Sequence, residues 1–223
     1  MIEIMEVTKS YPMGGDQVKA LDGVSLTIGE GDLLAVTGPS GSGKSTLLYT
    51  IGGLLTPTEG EVHVNGYKVY SLPPRERARF RRENVGFIFQ TFELLPYLTA
   101  EENVMLPLSL AGLDPIDQSD MALEALERVG LKDRARHKPS ELSGGEQQRV
   151  AIARGVVNSP DILLADEPTG NLDQKTGEGI MRLLTELNRA DGQTIVYVTH
   201  SQAMAGMADK AIGMTDGRIV TRS

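Results

Sequence analysis

The chain has 223 residues, a length that fits one large domain or two small ones and allows a substantial buried core. Hydrophobic residues make up 40% and charged residues 23%, which excludes a largely disordered chain. The net charge of −8 disfavours general coating of DNA or RNA, and the absence of cysteine excludes disulfides and cysteine-ligated metal sites. We expect neither a signal peptide nor a membrane span, because acidic residues interrupt the N-terminus and no long apolar run follows.

Strand and helix patterns alternate along most of the chain, which predicts an α/β fold with a mostly parallel sheet. The N-terminal region differs, because apolar residues alternate around residues 2–8, 24–28 and 62–64, as in half-buried antiparallel strands. Asn65-Gly66 and Asp216-Gly217 are hairpin-turn dipeptides. Short runs rich in branched residues predict four buried central strands, at Leu33–Thr37, Val85–Phe89, Ile162–Ala165 and Thr194–Thr199.

Helical spacing of apolar residues predicts helices around residues 121–129 and 180–187. The stretch from about 91 to 140 contains several prolines and less strand character. We therefore expect a single domain of residues 1–223 in which a helical subdomain, about 91–140, is inserted into the α/β core.

A glycine-rich motif follows the first predicted central strand. Residues 38–45 read Gly-Pro-Ser-Gly-Ser-Gly-Lys-Ser and match the Walker A pattern GxxxxGK[ST] in full, with a strand before and a helical pattern after. Such a loop turns its N–H groups towards phosphate oxygens at a helix N-terminus, where Lys44 reaches the outer phosphates and Ser45 ligates Mg²⁺. The alternative, a turn that merely joins strand to helix, does not require the full pattern. The predicted nucleotide-binding residues here are Gly38, Pro39, Ser40, Gly41, Ser42, Gly43, Lys44, Ser45 and Thr46.

A second glycine-rich element, Ser143, Gly144 and Gly145, opens another predicted helix. Ser143 followed by Glu146 is a capping-box pattern, so one interpretation is simply a well-capped helix. Adjacent glycines cost stability in a helix and favour a second interpretation, in which an anion approaches the backbone.

Two carboxylates, Asp166 and Glu167, end a buried strand. A strand-end Asp beside a phosphate loop can support Mg²⁺, and the following Glu can polarise an attacking water; the alternative is a pair of solvated surface acids. Gln90 and His200 follow two other central strands and can reach the same edge, although each alone is more often a strand-end or capping residue.

Two further features are interpreted as ordinary surface. Five arginines lie within residues 75–82 and suggest nucleic acid or anionic lipid, but interleaved glutamates and the acidic total favour a solvated helix face. His63 and His137 have no metal-ligand spacing.

Taken in order, these motifs resemble the ATP-binding cassette (ABC) ATPases over nearly the whole chain. The most specific part is Leu142-Ser-Gly-Gly-Glu146, which other phosphate-loop enzymes, including small-molecule kinases, lack. The resemblance implies an ATP-hydrolysing enzyme in which Glu167 is the catalytic base and His200 contacts the γ-phosphate. It further implies that Tyr11 stacks on adenine and that Ser45, Gln90 and Asp166 serve the Mg²⁺ site.

The family also pairs two cassettes head to tail, here a homodimer, so that each ATP lies between the phosphate loop of one and residues 143–145 of the other. The loop Asn171–Asp173 resembles the segment that couples the two sites. Ser201 departs from the pattern, because many relatives carry Asp after the histidine.

The stretches 86–90, 139–146 and 165–173 look most like the lipoprotein-release and macrolide-export type, LolD/MacB-like. That resemblance implies an ATPase subunit bound to a separate integral membrane permease on the cytoplasmic side of the inner membrane, powering export or extraction of a lipophilic or peptide cargo. We expect no direct contact with nucleic acid. The alternative is a soluble ABC ATPase acting on DNA or ribosomes, which would be expected to carry a long coiled-coil insertion or a second cassette.

Overall fold

Two β-sheets form the centre of the computed structural model, which describes residues 1–14 and 16–222. An antiparallel sheet has the strand order β2-β1-β4-β5, and a mixed sheet has the order β10-β9-β3-β8-β7-β6. In the mixed sheet every pairing is parallel except that of β10 with β9. The strands are β1 (Ile2–Met13), β2 (Asp16–Ile28), β3 (Leu33–Thr37), β4 (Glu59–Val64), β5 (Tyr67–Lys68), β6 (Val85–Ile88), β7 (Ile162–Asp166), β8 (Thr194–Thr199), β9 (Lys210–Thr215) and β10 (Arg218–Arg222).

Helices cover both faces of the mixed sheet, as parallel strands require. Three short 3₁₀ turns, at Val69–Ser71, Lys132–Arg134 and Pro139–Glu141, join longer elements. The α-helices are α1 (Lys44–Ile51), α2 (Pro74–Asn84), α3 (Ala100–Ala111), α4 (Pro115–Arg128), α5 (Gly144–Val156), α6 (Gln174–Asp191) and α7 (Gln202–Ala205).

The central strands divide their side chains between two apolar cores. In β3, Leu34 and Val36 face a core shared with α1 and the antiparallel sheet, whereas Leu33 and Ala35 face a core shared with helices α3 to α6. This alternation follows from the two-residue period of a strand. Burial on both faces explains why these strands read as continuous apolar runs rather than as alternating ones.

The predicted elements agree closely with the observed ones. Both hairpin turns form, the helix predicted around residue 44 begins at Lys44, and the helical pattern at 180–187 lies inside α6. Strand β6 ends at Ile88 rather than at the predicted Phe89, so Phe89 and Gln90 both lie in the loop after the strand. Strand β7 runs one residue further than predicted, to Asp166.

The stretch predicted as a helical insertion contains α3 and α4, which pack on each other and on α5. Thr99 and Asp114 cap the two helices through side-chain bonds to backbone N–H groups. The subdomain status and borders of this stretch stay a prediction. Across residues 1–14 and 16–222, no helix is long and apolar enough to cross a bilayer.

Candidate nucleotide-binding site

The carboxyl ends of four parallel strands bring the predicted site residues to one edge of the mixed sheet. Strand β3 leads into the phosphate loop, β6 is followed after one residue by Gln90, β7 ends at Asp166 and β8 is followed by His200. Ligands of open parallel sheets bind at this edge. The fold therefore gathers residues that lie far apart in the sequence.

The phosphate loop depends on glycines at two close approaches. A Cβ on Gly38 would lie 2.2 Å from the Met214 carbonyl oxygen, and one on Gly43 would lie 2.2 Å from that of Ala20. Both glycines have positive φ, 147° and 98°, which other residues rarely adopt. These contacts press the loop against β9 and β2 and fix its curl. Pro39, Ser40 and Gly41 are exposed at the outer rim.

Lys44 and Ser42 occupy the inside of the loop. The Lys44 side chain turns back, and its Nζ donates to the carbonyl oxygens of Gly38 and Pro39 at 2.9 Å each. Ser42 Oγ is buried without a hydrogen-bond partner in the described structure. A buried ammonium beside an unsatisfied hydroxyl suits an anion such as phosphate. Thr46 lies half-buried in the first turn of α1.

Asp166 is buried and held by two hydroxyl groups of α1. Ser45 Oγ donates to Oδ1 at 2.9 Å, and Tyr49 OH donates to Oδ2 at 2.6 Å. Burial, together with the bond to Asp166, raises the pKa of Tyr49 well above its usual range, so the phenol keeps its proton. Sequence reasoning missed Tyr49, although its position four residues after Ser45 puts both on one face of α1.

Glu167 and His200 meet at the ends of neighbouring strands. Glu167 has a left-handed backbone, with φ of 45°, and its N–H donates to the Val198 carbonyl oxygen at 3.1 Å. Its Oε2 lies 3.0 Å from His200 Nδ1. The turn thus brings the Glu167 carboxylate to His200, which contacts one of its oxygens.

Gln90 lies beside this pair. A Cβ on Gly170 would lie 2.9 Å from Gln90 Nε2 and 3.1 Å from Glu167 Oε2, so both side chains flank that glycine. Asn171 Nδ2 donates to the Gln90 backbone oxygen at 2.9 Å. Gln90 has no side-chain hydrogen bond to Ser45 or Asp166 in the described residues.

Tyr11 lies on the hairpin formed by β1 and β2. It pairs with Val18, two residues before Ala20, the residue that contacts the phosphate loop. The side chain is exposed, and Lys9 Nζ lies 5.1 Å from the ring centroid. The ring therefore lies exposed on the strand pair next to the loop, with the Lys9 ammonium over it. Stacking of this ring on adenine stays a prediction.

Residues 143–145 stand apart from the phosphate loop, without a hydrogen bond to it in the part of the chain described. Ser143 is exposed and caps α5, because its Oγ accepts from Glu146 N at 3.3 Å and its N–H donates to Glu146 Oε2 at 2.8 Å. A Cβ on Gly145 would lie 2.5 Å from Thr176 Cγ2. Packing against α6 therefore explains a glycine at position 145 within a single chain, in addition to the predicted approach of an anion.

The remaining sequence features have local partners. His63 Nε2 lies 3.0 Å from Glu61 Oε2, and His137 contacts Arg134. Ser201 caps the short helix α7 through a bond from Met204 N. The arginine-rich helix α2 buries only Phe80 and leaves Arg75 and Arg79 exposed.

Comparison with known proteins agrees with this geometry. A family model described as "ABC transporter" matches residues 21–170, which is more than half of the chain. The chain belongs to the ABC transporter family. The match covers the phosphate loop, residues 143–145 and the two carboxylates, and it ends before His200.

Individual relatives point the same way. The cassette is 48% identical to the lipoprotein-releasing system ATP-binding protein LolD of Geobacter metallireducens, over 99% of this chain and 98% of that protein. It is also 48% identical to the macrolide export ATP-binding/permease protein MacB of Burkholderia pseudomallei, over 99% of this chain but only 34% of that protein. A solved dimer of the cassette MJ0796 with ADP and Pi superposes with a TM-score of 0.93, at 47% identity over 100% of this chain and 98% of the other.

These findings confirm the predicted ABC ATPase fold, ATP as the nucleotide and the resemblance to the lipoprotein-release and macrolide-export type. They do not support the alternative of an ATPase acting on nucleic acid or ribosomes. The individual roles assigned to the site residues stay predictions.

Proposed function

We propose that the chain is the ATP-hydrolysing subunit of a membrane transporter and that it uses Mg²⁺. The observation that carries this proposal is the bond from Ser45, on the phosphate loop, to the strand-end carboxylate Asp166. It joins the residues that would bind phosphate to those that would hold a metal.

The residues fit a magnesium ion. The Ser45 hydroxyl and the Asp166 carboxylate supply oxygen atoms, the ligands that Mg²⁺ prefers, and they meet through the bond from Ser45 Oγ to Asp166 Oδ1. The buried Lys44 ammonium belongs to the same loop as Ser45. Gln90 offers a further amide oxygen. A bound Mg²⁺ would neutralise part of the charge that develops on the transferring phosphoryl group.

Glu167 would act as the general base. Its carboxylate accepts a proton from water while the water oxygen bonds to the γ-phosphorus and the bond from that phosphorus to the bridging oxygen breaks, leaving ADP and phosphate. His200 holds one Glu167 oxygen and keeps the other free to face the water. Lys44 stabilises the negative charge on the phosphate oxygens.

The site of one chain would be completed by a second copy. Ser143 is exposed, caps a helix of 13 residues, and in the described structure forms hydrogen bonds only with Glu146 and Gln147 in the first turn of that helix. The partially positive end of α5 therefore remains available to an anion from outside the chain. A head-to-tail homodimer would bring this end to the γ-phosphate bound by the partner.

A groove next to Gln90 is the proposed docking surface for a membrane permease. This groove, of about 880 Å³, lies between α2, α3 and the loop after β6. Leu54, Leu110, Phe87 and Phe89 supply its apolar lining. Five arginines, four of them on α2, outnumber the two glutamates that also line it. An amphipathic cytoplasmic segment with acidic residues matches this surface. Docking here would hold the cassette at the cytoplasmic face of the inner membrane.

The cargo class follows from the relatives. LolD is named for lipoprotein release and MacB for macrolide export. We therefore assign export or extraction of a lipophilic or peptide cargo, with cargo selection by the permease.

Docking of a permease in this groove is tested by changing two exposed apolar residues of the helical region. Leu110 lines the groove and is 75% exposed, whereas Ile116 is 73% exposed and lies outside the groove lining. We expect Leu110→Glu to lose a co-purifying multi-span membrane protein from detergent-solubilised native membranes and to keep ATP binding. Ile116→Glu should retain both. Equal retention by the two variants contradicts this docking surface, and co-purification of nucleic acid instead contradicts the transporter assignment.

A further inference from the structure

The Tyr49 hydroxyl occupies a position that none of the motifs assigns. It donates to Asp166 Oδ2 at 2.6 Å while Ser45 donates to Oδ1. The Asp166 bond is the single hydrogen bond of this hydroxyl within the described structure. Since Ser45 is itself a proposed metal ligand, Tyr49 is the partner that can keep holding Asp166 when a metal is bound.

The ring of Tyr49 is held by a second aromatic side chain. Its centroid lies 6.4 Å from that of Phe89, with a tilted angle of 48° between the planes, a geometry favoured by aromatic pairs. Phe89 in turn stacks on Phe87, at 5.8 Å and 8°. Both phenylalanines line the groove proposed for the permease.

These contacts form a continuous line of packed groups from the groove to the metal-holding carboxylate. Phe87 also packs against the end of α1, because a Cβ on Gly52 would lie 2.2 Å from its Cζ. The helix that carries Ser45 and Tyr49 is therefore seated on the same aromatic pair. A shift of Phe89 would move the Tyr49 ring and, through its hydroxyl, Asp166.

We propose that Tyr49 is a positioning residue for the metal site, where its hydroxyl orients Asp166 and its ring couples that carboxylate to Phe89 at the groove. This inference rests on the proposed function, since it assumes a divalent ion beside Asp166. Partners in the second layer around a metal commonly change metal affinity by about 10-fold or more when removed.

Tyr70→Phe provides a matched control for Tyr49→Phe. Tyr70 OH also donates hydrogen bonds, to the backbone oxygens of Thr50 at the end of α1 and of Leu55, at 2.6 Å each, but does not touch Asp166. Both changes remove one partly buried hydroxyl, and each tyrosine either belongs to α1 or bonds to it. A general structural effect should therefore appear in both variants.

The measurement is equilibrium binding of ATP to the full chain, with excess chelator and with a titration of Mg²⁺. For the unaltered chain, Mg²⁺ should tighten ATP binding. In Tyr49→Phe, the Mg²⁺ concentration that gives half of the increase in ATP affinity should rise by about 10-fold. The ATP affinity measured with excess chelator should not change. Tyr70→Phe should change neither quantity. Thermal unfolding of both variants checks that they fold.

The coupling to the groove is tested by Phe89→Leu, alone and combined with Tyr49→Phe. If Phe89 acts through Tyr49, Phe89→Leu raises the Mg²⁺ requirement in the otherwise unaltered chain but adds nothing to Tyr49→Phe. If the increases in Mg²⁺ requirement caused by the two single changes multiply in the double variant, the two residues act independently and the coupling is overturned.

Two different results separate the positioning role of Tyr49 from the metal site on which that role depends. An unchanged Mg²⁺ requirement in Tyr49→Phe, with a clear Mg²⁺ gain in the unaltered chain, overturns the positioning role. Absence of any Mg²⁺ gain in the unaltered chain overturns the metal site itself and, with it, the inference.

Discussion

The two regions proposed to contact ATP are the phosphate-loop edge of the mixed sheet and residues 143–145. They differ in how completely a single chain forms them. At the carboxyl edge of the mixed sheet, Lys44, Ser45 and Asp166 are joined through hydrogen bonds to each other or to the loop. Residues 143–145 are exposed or half-buried, and among the described residues they form hydrogen bonds only within α5 and its cap. The first region is therefore formed within one chain, whereas the second is an exposed helix N-terminus that lies apart from the phosphate loop.

This difference suggests that ATP binding depends on the first region and ATP hydrolysis on both. A chain that holds phosphate by itself can bind ATP as a monomer, but it lacks the second helix end that would neutralise the γ-phosphate. Hydrolysis would then wait for the dimer, which prevents ATP turnover by unpaired subunits. The variants below address each region in turn.

Lys44→Ala should have the largest effect, because it removes the buried cation from the self-contained region. A charge-assisted bond contributes about 1.5–3 kcal/mol, so ATP affinity should fall by roughly 10- to 100-fold and hydrolysis should become undetectable. Equilibrium ATP binding and phosphate release measure these effects. Lys132→Ala, which removes an exposed lysine paired with Glu127, should match the parent protein. Parental turnover in Lys44→Ala is incompatible with the assigned phosphate loop.

Glu167→Gln should stop chemistry and spare binding. The amide keeps the shape of the side chain but cannot accept a proton from water, so the rate of phosphate release should fall about 100-fold or more. ATP affinity should hold or increase, because one negative charge beside the triphosphate is gone. Asp166→Asn is the contrasting variant and should weaken Mg²⁺-dependent binding. Normal turnover by Glu167→Gln would exclude Glu167 as the base.

Gly145→Ala should have the smallest effect, a loss of stability of about 1–3 kcal/mol in the second region. The new Cβ would lie 2.5 Å from Thr176 Cγ2, whereas a Cβ on Gly144 has 3.3 Å to Leu172 Cδ2, so Gly144→Ala should cost less. Thermal unfolding measures both changes. At this chain length, 1 kcal/mol corresponds to a shift in Tm of about 2–4 °C.

Thr176→Ser provides the rescue, since it removes the methyl group that the new Cβ would meet and keeps the hydroxyl bonded to Asp173. We expect the double variant Gly145→Ala with Thr176→Ser to recover stability. Recovered stability with depressed hydrolysis would mean that the nucleotide as well as α6 requires a glycine here. No recovery would show that packing against Thr176 is not the reason for Gly145.

Most of the fold could be predicted from the sequence, because local patterns and burial agree in the central strands and in α1. Thr194–Thr199 and Leu33–Thr37 match their predicted bounds, since their apolar runs end at polar or glycine residues. The end of β6 could not be predicted, because Phe89 continues the apolar pattern but packs on Tyr49 and Phe87 beyond the strand.

Motifs predict the residues of the candidate site, but the tertiary contacts around those residues cannot be read from the sequence. The Walker A pattern predicts Lys44 and Ser45 as phosphate and metal ligands without any structure. The roles of Tyr49 in holding Asp166 and of Thr176 in excluding a side chain from position 145 depend on helices meeting in three dimensions. Helical spacing places Tyr49 near Ser45, but only the pairing of strands β7 and β8 brings Asp166 and the Glu167–His200 contact to that edge.

The molar mass of Glu167→Gln in excess Mg²⁺ and ATP, measured by light scattering after size exclusion, tests whether two chains share the ATP site. We expect twice the mass of one chain with two ATP molecules per dimer, and monomers when ATP is omitted. Adding Ser143→Arg should leave a monomer that still binds ATP, because the bulky cation blocks closure at the exposed end of α5. A Glu167→Gln protein that stays monomeric at saturating ATP, or a Ser143→Arg double variant that still dimerises, would contradict a site shared between two chains.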